Sequence, residues 1–236
     1  VSFGYENTGE KSLENISFTI KKGQTIGIIG GTGSGKSTLA MLISRFYDTD
    51  CGNVMLFGRN VKDYKMTSLR KIIGVVPQKS VLTSGPILDN LRWADSSLSE
   101  NDAVNALKTA QAWEFVNKMP DGINSVVAQG GKNFSGGQKQ RLAIARAIAS
   151  KPDILILDDS MSALDYATDL SLRKAIAQDL KGTTLIVISQ RITSIKNSDK
   201  IIVLDDGKAV GTGTHSELKS ECRVYQEICE AQDTED

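Results

Sequence analysis

Histidine is almost absent from this chain, with one in 236 residues, and there are only four prolines, three cysteines and 6% aromatics. Neither sign of charge is in excess: 28 Lys+Arg balance 28 Asp+Glu. A nucleic-acid partner usually leaves a basic footprint, so none is expected. Cys51, Cys222 and Cys229 are widely spaced and odd in number. They form no disulfide framework and suit a reducing cytosol. No apolar run approaches the roughly 20 residues that span a bilayer; the longest, such as Ile154–Leu157 and Leu185–Ile188, have strand length. No signal peptide is visible. The chain opens at Val1 in a strand-like run without an initiating Met, so it is expected to be cut from a longer polypeptide. The lone His215 sits in Thr214-His215-Ser216-Glu217, the T-x-x-E form of a helix capping box. A structural role is expected for it, which leaves no other imidazole for catalysis.

What is present is ordinary for a globular protein: 40% apolar and 24% charged residues. The length suits one large α/β domain, or a core with an inserted subdomain. Thr25–Ile29, Ile72–Val76, Ile154–Leu157, Thr184–Ile188 and Ile201–Leu204 are short apolar runs of the kind found in strands buried on both faces. Their alternation with helical patterns, beginning with Thr38–Phe46, argues for a mostly parallel sheet. Val1–Tyr5, Ile16–Ile20 and Asn53–Phe57 read as shorter antiparallel strands. Ser99–Met119 reads as mainly helical, with Ala103, Leu107, Ala110 and Trp113 at helical spacing. It interrupts the strand–helix alternation and predicts an inserted helical subdomain over roughly 79–150. The acidic tail Glu230–Asp236 is expected to fray.

Gly30-Gly31-Thr32-Gly33-Ser34-Gly35-Lys36-Ser37 fits GxxxxGK[ST] without a mismatch, between a predicted strand and a predicted helix that begins near Thr38. The glycines let the backbone curl around phosphate oxygens. Loop N–H groups and the helix N-terminus face the anion. Lys36 supplies positive charge to the β- and γ-phosphates, and the Ser37 hydroxyl suits Mg²⁺. Further along, Phe134-Ser135-Gly136-Gly137-Gln138 opens a helical stretch, with a hydroxyl and backbone N–H groups at its N-terminus, another anion-binding arrangement. Asp153–Asp159 is an apolar strand ending in two carboxylates, Asp158 and Asp159.

Together these segments resemble the nucleotide-binding domain of the ATP-binding-cassette (ABC) transporter family, in family order and over essentially the whole chain. The resemblance implies a P-loop ATPase core that binds Mg·ATP, an N-terminal antiparallel β-subdomain and an inserted helical subdomain. Phe134–Gln138 is similar to the signature LSGGQ, which in the family faces ATP held by the opposite subunit of a head-to-tail dimer. Tyr5 matches the aromatic that stacks on adenine, Asp158 the Mg²⁺-holding Walker B Asp, Gln78 the Q-loop acceptor for Mg²⁺, and Asp165 the D-loop. Ser84–Trp93 resembles exporters more than importers, as does Val126–Gly131, with Gln129 where the exporter loop usually has Glu.

Two positions depart from the family pattern. A Glu usually follows the Walker B Asp, where this chain has Asp159, shorter by about 1.5 Å. A displacement of that order can cost roughly a hundredfold in rate; general-base assistance contributes about 10²- to 10⁴-fold. The alternative is that Asp159 reaches the water through a rearranged backbone or a second water. Gln190 stands where the family has a γ-phosphate-binding His. Glutamine donates an N–H but cannot titrate near neutral pH. The resemblance therefore implies the degenerate-site half of a heterodimeric exporter, completing a different chain's site with its signature. It also implies coupling helices of a transmembrane domain as a second contact, an upstream membrane portion, and a place on the cytoplasmic face of a membrane, the inner membrane if bacterial. A fully active homodimeric ATPase and an ATP-dependent regulatory clamp are the other readings.

Overall fold

The computed structural model describes residues 1–6, 11–93 and 95–233. Its strands are β1 (Thr25–Ile29), β2 (Met55–Leu56), β3 (Arg59–Asn60), β4 (Ile73–Val76), β5 (Gly85–Pro86), β6 (Val126–Val127), β7 (Ile154–Asp158), β8 (Thr184–Ile188), β9 (Lys200–Asp205) and β10 (Lys208–Gly213). Its α-helices are α1 (Lys36–Ile43), α2 (Met66–Ile72), α3 (Ile87–Leu91), α4 (Glu100–Thr109), α5 (Trp113–Val116), α6 (Gly136–Ala149), α7 (Tyr166–Asp179), α8 (Ile192–Ile195), α9 (His215–Glu221) and α10 (Arg223–Asp233). The chain has an α/β fold with a mostly parallel central sheet, as the alternation of apolar runs and helices predicts.

Two compact units divide the chain. The first comprises Val1–Arg70 and Thr184–Asp236. Here β1 lies between β8 and β9 and runs parallel to both, while β10 returns antiparallel to β9 with a register shift between Ala209 and Gly211. Parallel neighbours need long crossovers, which is why sequence-distant strands meet. Ile26, Ile28, Ile29, Ile201, Ile202, Val203 and Leu204 are almost wholly buried. Helices α8, α9 and α10 contribute Ile195, Leu218, Tyr225 and Cys229 to one core with Ile29, Val187 and Val203.

The second unit is Lys71–Thr183. Its β4 and β7 pair in parallel from Ile73↔Ile154 to Val76↔Leu157, and all five residues of β7 are buried. Helix α6 presents Leu142, Ala143, Ile144, Ala145 and Ile148 to the core. The small residues on that face let a helix approach a strand closely.

Several predicted boundaries need correction. Ile16–Ile20 forms no strand: Ile16 and Val1 exchange two backbone bonds, of 2.6 and 2.9 Å, and no ladder follows. Val1–Tyr5 contributes only isolated bridges at Ser2 and Phe3, and Asn53–Phe57 only Met55–Leu56. The predicted helix Thr38–Phe46 starts at Lys36 and ends at Ile43. Arg45 turns left-handed with φ 54°, while Arg45 N–H donates to Leu42 O at 3.1 Å and Phe46 N–H to Met41 O at 2.8 Å. That pair of bonds is a Schellman stop. The same device splits Ser99–Met119 into α4 and α5: Gln111 has φ 56°, and Ala112 N–H reaches Leu107 O at 2.7 Å. The expected fraying at Glu230 is also wrong, since α10 continues through Asp233, anchored by buried Tyr225 and Cys229. Thr234–Asp236 lie outside the described residues.

Candidate nucleotide-binding site

The phosphate loop follows β1 directly, and its shape is fixed by what surrounds it. A Cβ at Gly30 would stand 2.1 Å from Leu204 O and 2.5 Å from Ser34 Oγ. Gly35 has φ 95°, and a Cβ there would meet Leu13 Cδ2 at 2.6 Å. Only glycine fits either place. Gly31, Thr32 and Gly33 are exposed, whereas Ser34 is buried. Gly35 is the N-cap of α1 and offers no side-chain cap, so the first amides of α1 face outward as anion donors.

Lys36 is buried, and its Nζ donates to Gly30 O at 2.8 Å, Gly31 O at 2.6 Å and Ser34 Oγ at 3.4 Å. Two carbonyls and a hydroxyl of the loop thus accept from the ammonium, and charge-assisted bonds to anionic phosphate oxygens are stronger than bonds to such neutral groups. Tyr5 is tied to the same helix: its hydroxyl lies 3.1 Å from Thr38 Oγ1 and donates to Met41 Sδ at 3.7 Å. Its ring packs edge-on against Phe3 and Tyr47, with centroids 5.0 and 5.3 Å away. Ser37 is half-buried one residue into α1.

Gln190 ends the segment after β8 and is exposed. Its carbonyl accepts from Gln232 Nε2 at 2.7 Å, while Ile192 N–H donates to Gln232 Oε1 at 2.9 Å. Gln232 falls in the acidic tail, which is expected to fray, so it is not among the predicted site residues. The 3–4–3 spacing of Cys222, Tyr225, Cys229 and Gln232 was the available signal of a helical face.

In the second unit, β7 delivers Asp158 buried at its C-terminal end. Asp159 then adopts φ 44°, a left-handed conformation that Asp tolerates better than most residues. Gln78 Nε2 donates to Asp159 Oδ2 at 3.2 Å. The structure therefore brings together two residues that lie on separate motifs, and the Gln78 carbonyl oxygen is left as an acceptor. Within this unit Gln78 and Asp158 offer oxygen donors, one of them a carboxylate, a chemistry that suits Mg²⁺, which keeps waters rather than taking an all-protein cage. In the first unit the Ser37 hydroxyl is a donor of the same kind. No group of three or more His, Cys, Asp or Glu able to hold a metal occurs among the described residues.

The segment Phe134–Gln138 is a capping box. Ser135 Oγ accepts from Gln138 N–H at 3.3 Å and Gln138 Oε1 accepts from Ser135 N–H at 2.9 Å. Phe134 is buried with its ring edge-on to Phe115 at 6.1 Å. A Cβ at Gly136 would meet nothing within 4 Å, so its backbone is open to a ligand. At Gly137 the nearest atom to such a Cβ would be Ala163 O, 3.3 Å away. The Asp165 carboxylate caps α7, accepting from Thr168 N–H at 2.9 Å and from Thr168 Oγ1 at 2.8 Å. Those two bonds, the backbone one foremost, hold its carboxyl below the usual carboxylate range. His215 Nδ1 lies 2.8 Å from the hydroxyl of buried Tyr225.

A phosphate loop of the GxxxxGK[ST] form, a strand ending in two carboxylates and a helix N-terminus opened by glycine are the features of a nucleotide-binding protein of the P-loop class. The family profile described as ABC transporter matches residues 13–162, and the chain belongs to that family. It is 45% identical over 232 residues to the "Uncharacterized ABC transporter ATP-binding protein YfiB" of Bacillus subtilis, covering 98% of this chain and 40% of the relative. It is 41% identical over 229 residues to an ATP-dependent lipid A-core flippase of Pasteurella multocida, covering 97% and 39%. A solved bacterial Atm1-family ABC exporter with ATP bound superposes with a TM-score of 0.93 at 35% identity, covering 98% of this chain and 41% of that one. The chain thus spans about two fifths of the length of these relatives. No helix among the described residues is long and apolar enough to cross a membrane.

Proposed function

We propose that this chain is the ATP-binding domain of an ABC exporter and forms the catalytically weakened half of a heterodimer. The observation that carries the reading is that Asp159 and Gln190 each depart from the residue the family pattern has at that position. Asp159 holds a short carboxylate against Gln78 at 3.2 Å, and Gln190 offers an amide where a titratable imidazole would serve. Lys36, the loop amides and the N-terminus of α1 grip the triphosphate, with Thr32, Ser34 and Thr38 lining the loop. Tyr5 offers a ring face to the base. Ser37, Gln78 and Asp158 would hold Mg²⁺, which when bound would supply positive charge to offset that of the phosphates. Gln190 donates to the γ-phosphate without taking a proton, and Asp159 is the base for the attacking water. Asp165 crosses to the partner's nucleotide.

Ser135, Gly136 and Gly137 at the N-terminus of α6 complete the site of a second, different nucleotide-binding domain. Residues roughly 79–150 act as the helical subdomain that meets coupling helices of a transmembrane domain, placing the chain on the cytoplasmic face of a membrane. The exporter assignment rests on the flippase and Atm1-family likenesses. A homodimer with full activity is a second reading, favoured by the carboxylate that Asp159 retains. ATP hydrolysis by the chain alone, and by the chain mixed with a partner carrying Glu and His at these positions, separates them. Slow turnover alone and fast turnover in the mixture are expected; equal, rapid turnover in both arms would sink the heterodimer.

A further inference from the structure

The last helix holds the backbone of the γ-phosphate-facing segment through a single side chain. Gln232, in the final turn of α10, pairs its carboxamide with two main-chain groups at once. Its Nε2 donates to Gln190 O at 2.7 Å and its Oε1 accepts from Ile192 N–H at 2.9 Å. This is the pattern by which a β-strand residue pairs with a neighbour, reproduced by a side chain. The intervening residue, Arg191, donates its N–H to Ser189 Oγ at 3.0 Å. Ser189 N–H is itself bonded to Ile28 O on β1 at 3.1 Å. The segment from Ser189 to Ile192 is therefore pinned at one end by the sheet and at the other by α10.

Helix α10 is an anchored support. Tyr225 is wholly buried and Cys229 nearly so, both in the core that contains Ile192 and Ile195. Gln232 is half-buried one turn beyond Cys229, so its reach is set by packing rather than by a flexible tail. Gln190 is exposed, so the backbone it hangs from has a large part in deciding where its amide can go.

We infer that Gln232 is a positioning residue for Gln190, making α10 part of the nucleotide-sensing apparatus. The inference rests on the reading that Gln190 meets the γ-phosphate, and its test keeps the two separable. In the full chain, Gln232→Ala should speed hydrogen exchange at the Ile192 amide by at least about tenfold, because that N–H loses its acceptor. It should also lower the preference for ATP over ADP by about threefold in calorimetric titrations, with ADP affinity unchanged. Gln232→Glu keeps an acceptor for Ile192 but sets a carboxylate oxygen against the Gln190 carbonyl. It should preserve slow exchange at Ile192 and still reduce the ATP preference. Circular dichroism of both variants checks that α10 remains helical. Unchanged exchange in Gln232→Ala overturns the clamp. Faster exchange with an unchanged ATP:ADP ratio overturns its positioning role. A Gln190→Ala chain with an unaltered ratio would overturn the γ-phosphate reading instead, and the exchange measurement would still decide the clamp.

Discussion

The loop that would hold the phosphates and the residues that would aim the water are built by different means. At the two ends of the phosphate loop the shape is set by close packing, against the Leu204 main-chain oxygen at Gly30 and against Leu13 and the Ser12 main-chain oxygen at Gly35. Lys36 has three acceptors around its ammonium. Around Gln78, Asp159 and Gln190, in contrast, side chains make the connecting bonds: Gln78 joins Asp159 side chain to side chain, and the Gln232 side chain holds the Gln190 carbonyl. A grip made of backbone cannot drift without disturbing the fold. An aim made of side chains can, so a chain of this kind can keep binding nucleotide while its turnover declines.

The largest effect that tests this contrast is Gly30→Ala. Its Cβ would stand 2.1 Å from a backbone oxygen, so the strand and loop must shift. A loss of about 3 kcal/mol is expected in urea unfolding, along with loss of ATP binding. A variant of full stability would show that the loop is softer than its packing implies. Next is Lys36→Ala, which removes a charged donor to the phosphates. Charge-assisted bonds contribute about 1.5–3 kcal/mol each, so ATP affinity should fall roughly a hundredfold in fluorescent-nucleotide titration while the fold persists.

Ser135→Ala sharpens the contrast in a smaller way. It deletes the α6 cap and should cost about 1 kcal/mol in thermal melts. It should slow hydrolysis in a mixture with a consensus partner more than in the lone chain. The smallest effect is far from the nucleotide. Burial, foremost, and the nearby Cys229 push the Tyr225 hydroxyl up to about 12. Its folded-state value is raised, so the stability it contributes is complete below the ordinary tyrosine range near 10 and is lost as pH rises toward 12. Denaturant midpoints should fall across that window in the wild-type chain and much less in Tyr225→Phe.

The grip was the more legible half in the sequence. A phosphate loop is a local code, complete within nine residues from Gly30 to Thr38, and the central strands announce themselves as apolar runs because both faces are buried. Errors arose where structure depends on a distant neighbour or an unmarked stop. Ile16–Ile20 alternates like a strand, yet only Ile16 is deeply buried, at 2% exposure, and no second chain segment builds a ladder on it. Helices α1 and α4 end at left-handed Arg45 and Gln111 rather than at glycine, so the usual stop signal was absent. The Gln78–Asp159 and Gln232–Gln190 bonds span 81 and 42 residues, beyond the reach of any local pattern.

Single-turnover cleavage of pre-bound Mg·ATP is the most direct test, comparing the lone wild-type chain with a chain carrying Asp159→Glu and Gln190→His together. Unaltered ATP affinity and a cleavage rate about a hundredfold higher in the double variant are the predicted result. Equal rates in the two chains would contradict the claim that this site grips its nucleotide but no longer aims the water.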